Sequence, residues 1–208
     1  MDVGTQLVQA YLRLNGYLTV AEYPLVEERR HDAIRTLTDI DLLAVRFDVA
    51  NDGKSGKGRR VGGPLASAPD PLLGGPEVGT DMIVAEVKQG RAFVNPATHD
   101  PAVLAAVLTR FGCCQDGESR QLVQQLQRDG TATSEMGHTV RMVLFAARGE
   151  RAPHGWHWVH LDRVVAFVDG YLRKHSAQFG GVDLKDPALA WLALLQKCGF
   201  NLVHGKQP

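Results

Sequence analysis

Thr38-Asp39-Ile40-Asp41-Leu42-Leu43-Ala44-Val45 and Asp81-Met82-Ile83-Val84-Ala85-Glu86-Val87-Lys88 are the two runs whose reading decides the fold. Each is short, apolar and bounded by turn-formers, the pattern of a strand buried in a sheet. Each also carries acids, and an ionised side chain in such a strand is costly unless a partner neutralises it. Side chains alternate along a strand, so Asp39 and Asp41 are expected to point the same way, and so are Glu86 and Lys88. If the two runs pair as a hairpin, both sets meet on one side of the sheet. Carboxylates converging there suit Mg2+ or Mn2+, hard cations that take oxygen ligands and keep several waters. The backbone carbonyl of Val87 is placed to add a ligand. A metal-bound water loses a proton more readily, and the metal stabilises charge building on a phosphate. Lys88 would orient that water or hold the phosphate, and its ammonium offsets the negative cluster.

Working outward, residues 3 to 15 read as an amphipathic helix, with Val3, Leu7, Ala10, Tyr11 and Leu14 near one face and Asn15-Gly16 as its stop. A strand over about Tyr17 to Leu25 follows, then a charged loop over Glu27 to Arg35, and the first acidic strand from about Thr36 to Phe47. Residues 48 to 80 hold 8 Gly and 4 Pro in 33 residues, above the level of packed structure. They read as a long flexible insertion in a hairpin connection. Downstream, helices are expected over Asp100 to Phe111 and Glu118 to Arg128, strands over His138 to Ala147 and Gly155 to His160. Two last helices follow, over Leu161 to His175 and Pro187 to Cys198, the latter capped by Asp186. That order predicts a single mixed α/β domain over residues 1 to 208, with C-terminal helices over about 161 to 199.

Bulk properties narrow the function classes. The chain has 208 residues, 44% of them hydrophobic, and 23 basic residues balance 23 acidic ones. With no global basic field, any nucleic-acid contact must use a local patch. Apolar runs are too short to span a bilayer, so no membrane partner is expected. The first residues lack a signal-peptide pattern. Cys113, Cys114 and Cys198 form neither a disulfide framework nor a zinc spacing, which points to a reducing cytoplasm.

The helix over Leu12-Arg13-Leu14-Asn15-Gly16-Tyr17, then Asp39-Ile40-Asp41-Leu42-Leu43-Ala44, then Ala85-Glu86-Val87-Lys88 resembles the PD-(D/E)XK nuclease superfamily, most closely its small resolvase-like members. The resemblance covers roughly the first 95 residues. It implies a restriction-endonuclease-like mixed β-sheet flanked by helices and a Mg-dependent nuclease acting on nucleic acid, here DNA. It makes Asp41 the principal metal ligand, Glu86 the second and Lys88 the catalytic lysine, with Asp39 where relatives often have an extra acid. A homodimer is compatible with it. The first helix carries neutral Gln6 where relatives often have Glu, and the insertion replaces what is often a short turn.

Other features carry less. Gly53-Lys54-Ser55-Gly56-Lys57-Gly58 fails the spacing of a phosphate loop. Lys54, Lys57, Arg59 and Arg60 stand against Asp52 alone between Asn51 and Gly63, and are candidate phosphate contacts. Gln89, after the lysine, is a candidate substrate contact. Glu22 reads as a solvated strand-edge acid. His154, His157 and His160 fall on opposing strand faces and do not form a zinc set, and Trp156 and Trp158 read as core or edge residues. Two other readings compete with the nuclease. One is a non-catalytic module of the same fold that binds nucleic acid or protein. The other is an α/β module whose acids merely pair with Lys88.

Overall fold

A computed structural model describes residues 1–29, 33–47, 69–76, 78–115, 117–179 and 184–202. They form a six-stranded mixed sheet with helices on both faces. Helix α1 spans Val3–Leu14, with the Asp2 carboxylate accepting from the Thr5 amide at its start. Strands β1 (Leu18–Arg29), β2 (Ala33–Arg46) and β3 (Asp81–Arg91) form an antiparallel meander. Helices α2 (Pro101–Phe111) and α3 (Ser119–Asp129) and a short strand β4 (Thr131–Thr133) lead to β5 (Thr139–Arg148). Strand β6 (His157–His160) and helices α4 (Leu161–Lys174), α5 (Ser176–Phe179) and α6 (Pro187–Lys197) complete the order.

Strand β3 pairs parallel with β5, whose other edge takes β4 antiparallel and β6 parallel, giving the order β1-β2-β3-β5-β4 with β6 off that path. The two central strands are buried on both faces, which is why their sequences run apolar without alternation. On one face Leu42, Ala44, Ile83, Ala85 and Phe145 pack against α1, α4 and α6. On the other, Leu43, Met82, Val84 and Met142 pack against α2 and α3.

Three expectations change. The charged stretch Glu27 to Arg35 is not all loop, because β1 runs to Arg29 and β2 begins at Ala33. Pairing of Glu27 with Arg35, Glu28 with Ile34 and Arg29 with Ala33 carries the hairpin into it. Strand β4 and helix α5 are too short to leave a periodic signal. The end of the insertion is folded: Pro71–Leu73 make a 3-10 turn and Leu73 is buried. Asp70 ties it down, its amide donating to Asn15 Oδ1 at 2.6 Å and its carboxylate accepting from the Tyr11 hydroxyl at 3.0 Å.

That end rests on a buried ion pair the sequence did not reveal. Asp81 is wholly buried and is gripped by Arg141 through two contacts of 2.9 and 2.8 Å. The Tyr17 hydroxyl also donates to it. Arg141 donates to the Leu73 carbonyl at 2.8 Å. A Cβ on Gly75 would sit 2.7 Å from Asp81 Oδ2, so only glycine lets that backbone pass the pair. Asp81 is therefore a structural acid, although it lies in the same run as Glu86.

Candidate active site

The β2–β3 ladder brings the two acidic runs together. Its register pairs Leu42 with Ala85 and Leu43 with Val84. The ladder ends at Leu42 and Ala85, and from there the strands open. The Asp41 carboxylate takes the Val87 amide at 2.7 Å, in place of a backbone carbonyl. In an extended strand the N–H and C=O of one residue point to the same edge, so the Val87 carbonyl is directed at the same gap.

Glu86 and Lys88 share the β3 face turned toward α2. Glu86 is buried, its side chain 2% exposed, and Oε2 lies 2.7 Å from Lys88 Nζ. Asp41 Oδ2 lies 3.4 Å from the same nitrogen. Contacts of 2.7 and 3.4 Å to one atom leave these two carboxylate oxygens no more than about 6.1 Å apart. Burial pulls the Lys88 ammonium toward deprotonation, but Glu86 and then Asp41 outweigh it, and its pKa is raised. Lys88 is thus a cation at neutral pH.

Sequence reasoning missed Thr98. It is fully buried, in a 3-10 turn over Pro96–His99, and its hydroxyl donates to Glu86 Oε1. Asn95 sets that turn: its side-chain oxygen accepts from the Ala97 amide at 3.0 Å, and its nitrogen donates to Thr38 Oγ1 at 3.0 Å. The one signal was Asn95-Pro96, a turn initiator, which says nothing of what Thr98 touches.

Asp39 does not join the cluster. Alternation breaks at Asp41: Ile40 packs toward α2 and α3, whereas Leu42 two residues on packs toward α1 and α4. The β1–β2 pairing passes from Ala21–Leu42 to Tyr23–Ile40, and Glu22 at the break adopts a left-handed φ of 51°. Asp39 is exposed beyond this irregularity, and among the described residues no hydrogen bond or ion pair links its carboxylate to Asp41, Glu86 or Lys88. The expectation that Asp39 and Asp41 share a face fails for that reason. Gln89 is likewise turned away. It hydrogen-bonds Asp2 and lies beneath Gly4, where a Cβ would meet its Cγ at 2.9 Å, so it faces α1 on the side opposite Lys88.

Lys54, Lys57, Arg59 and Arg60 lie outside the described residues. The histidines are engaged singly: His157 Nε2 bonds to the Leu72 carbonyl at 2.8 Å, and His160 stacks on Trp158 at 3.9 Å. Among the described residues no group of three or more His, Cys, Asp or Glu is placed to hold a metal, and no helix is long and apolar enough to cross a membrane. Comparison with family models, with curated proteins and with solved structures finds no match to this chain.

Proposed function

We propose that the protein is a metal-dependent nuclease of the restriction-endonuclease-like fold, hydrolysing DNA phosphodiester bonds at Asp41, Glu86 and Lys88. The observation that carries this reading is the convergence of both carboxylates on one Lys88 nitrogen where β2 and β3 separate. The order supports it: a helix, then strands bearing the acids, in a mixed sheet flanked by helices, as the resemblance implies.

The donor set fits a hard divalent ion. Two carboxylates and a carbonyl directed at one gap are what Mg2+ or Mn2+ takes when it keeps waters in its remaining positions. The set has no imidazole or thiolate of the kind zinc favours. Asp41, Glu86 and the Val87 carbonyl would hold the ion. Bound there, it would supply Lewis-acid charge to the phosphodiester and a more acidic water.

The chain's own residues do the rest. Thr98 fixes the Glu86 carboxylate from behind, leaving Oε2 toward the gap. The Val87 amide holds Asp41 through Oδ2, the same oxygen that faces Lys88. Lys88, kept protonated by both acids, serves as an electrostatic clamp on a phosphoryl oxygen and a hydrogen-bond donor to the attacking water. The raised pKa disfavours a role as general base.

Plasmid cleavage in Mg2+ tests the reading. The wild type is expected to nick or linearise DNA, while Asp41→Asn and Lys88→Met, folded by circular dichroism, do not. Undiminished cleavage by both variants would refute it. A second reading is favoured by the same ion pairs: Lys88 already neutralises both acids, as it would in an α/β module whose acids merely pair with that lysine.

A further inference from the structure

Beyond the carboxylates, β3 and β5 continue side by side into a basic groove. Arg91 and Arg148 are partners across the parallel ladder. Like charges in that relation repel and destabilise a sheet. They line a cleft of about 1430 Å3 together with Gly149, Glu150, Arg151 and His154. Three exposed arginines therefore face one glutamate. Among the described residues none of the three arginines forms an ion pair. An arginine cluster that outnumbers its acids and is not tied up in ion pairs suits polyanion recognition.

The groove is joined to the proposed site by the fold. Lys88 pairs with Ala146 and Arg91 with Arg148, so β3 carries one extra residue between those pairs. Such a bulge re-aims the side chains that follow it. At about 3.3 Å per residue, Arg91 lies roughly 10 Å along β3 from Lys88. That distance is the axial rise of about three base pairs of a duplex. The side of the sheet also agrees. Gly149 is wedged between Ala92 and Trp158, where a Cβ would come within 2.9 and 2.7 Å of their atoms. Ala92 and Trp158 pack on the α2–α3 side, and Arg148, two residues beyond Ala146 on that same side, shares a face with its ladder partner Arg91; Glu86 and Lys88 lie on that side too.

We infer that Arg91, Arg148 and Arg151 form a phosphate track for a nucleic-acid strand, holding its phosphodiester backbone about three nucleotides from the bond presented to Asp41, Glu86 and Lys88. The identity of the anion rests on the nuclease reading; the track itself is tested apart from cleavage.

The experiment is fluorescence-anisotropy binding of labelled duplex and single-stranded DNA in EDTA, titrated across salt concentrations. Wild type is compared with a triple Arg→Gln variant and a triple Arg→Lys variant at these positions. The Gln variant is expected to bind at least about tenfold more weakly, with a salt slope shallower by about two to three. The Lys variant is expected to keep the wild-type slope. An equal slope and affinity in wild type and Gln variant would overturn the track, as would wild-type binding of inorganic phosphate but of neither DNA. If the arginines govern binding yet Mg2+ elicits no cleavage, the nuclease reading falls and the track stands. If cleavage occurs and the arginines are indifferent, the reverse holds.

Discussion

Replacing Lys88 by methionine removes the only ammonium that contacts Glu86 and Asp41 among the described residues, while keeping most of the unbranched side chain. Glu86 is then an almost fully buried carboxylate with only the Thr98 hydroxyl beside it. Breaking a buried ion pair from one side costs about 3–5 kcal/mol. Lys88 and Asp41 side chains are each 29% exposed, so water recovers part of that cost, and the expected loss is about 2–3 kcal/mol. Urea denaturation at neutral pH measures it. The pH dependence has a definite sign. Because the Lys88 pKa is raised on folding, its contribution is fully present below the unfolded value of about 10.4 and is lost as pH rises through the folded value. Wild type should therefore lose a stabilisation in strong alkali that the variant never had. A loss below about 0.5 kcal/mol at neutral pH, the size of an ordinary surface substitution, would show that the lysine does not hold these acids.

Three further outcomes follow from the same structure. Thr98→Val leaves Glu86 Oε1 without its donor and is expected to cost about 1–3 kcal/mol by urea denaturation, with Thr98→Ser largely restoring it. Arg141→Met strands the wholly buried Asp81 and should cost about 3–5 kcal/mol, more than Arg46→Met, whose contact with Asp81 is 3.9 Å. A thiol reagent should label exposed Cys198 in the folded protein but reach Cys113 only on unfolding. Burial first, and Cys114 second, push the Cys113 thiol up to about 12.

The parts of the fold that the sequence disclosed are those written in periodicity and punctuation. Helix α1 with its Asn15-Gly16 stop, α6 with its Asp186 cap, and the two doubly buried strands all carry local signals. The meeting of Asp41 with Glu86 and Lys88 was also legible, because a hairpin of two strands with acids near one end allows few arrangements. Contacts between distant segments were not. Arg141 is 60 residues from Asp81 in sequence, and nothing local distinguishes it from a surface arginine. Thr98 reaches Glu86 only because Asn95 fixes an irregular turn against β2. Asp39 was misplaced because strict alternation was assumed across a strand that breaks it at Asp41. The left-handed backbone of Glu22 that accompanies the break follows from pairing across the hairpin, not from the identity of that residue.

The most direct test of the paired acids as an ion site is a Mg2+ titration of thermal stability in the wild type and in Asp41→Asn. An ion that binds only the native state raises the melting temperature in proportion to the logarithm of its excess over Kd. The wild type should show a rise that keeps growing with the logarithm of the Mg2+ or Mn2+ concentration above Kd, and Asp41→Asn should lose most of it. Equal responses in the two proteins, or no response in either, would contradict the assignment of Asp41 and Glu86 as metal ligands.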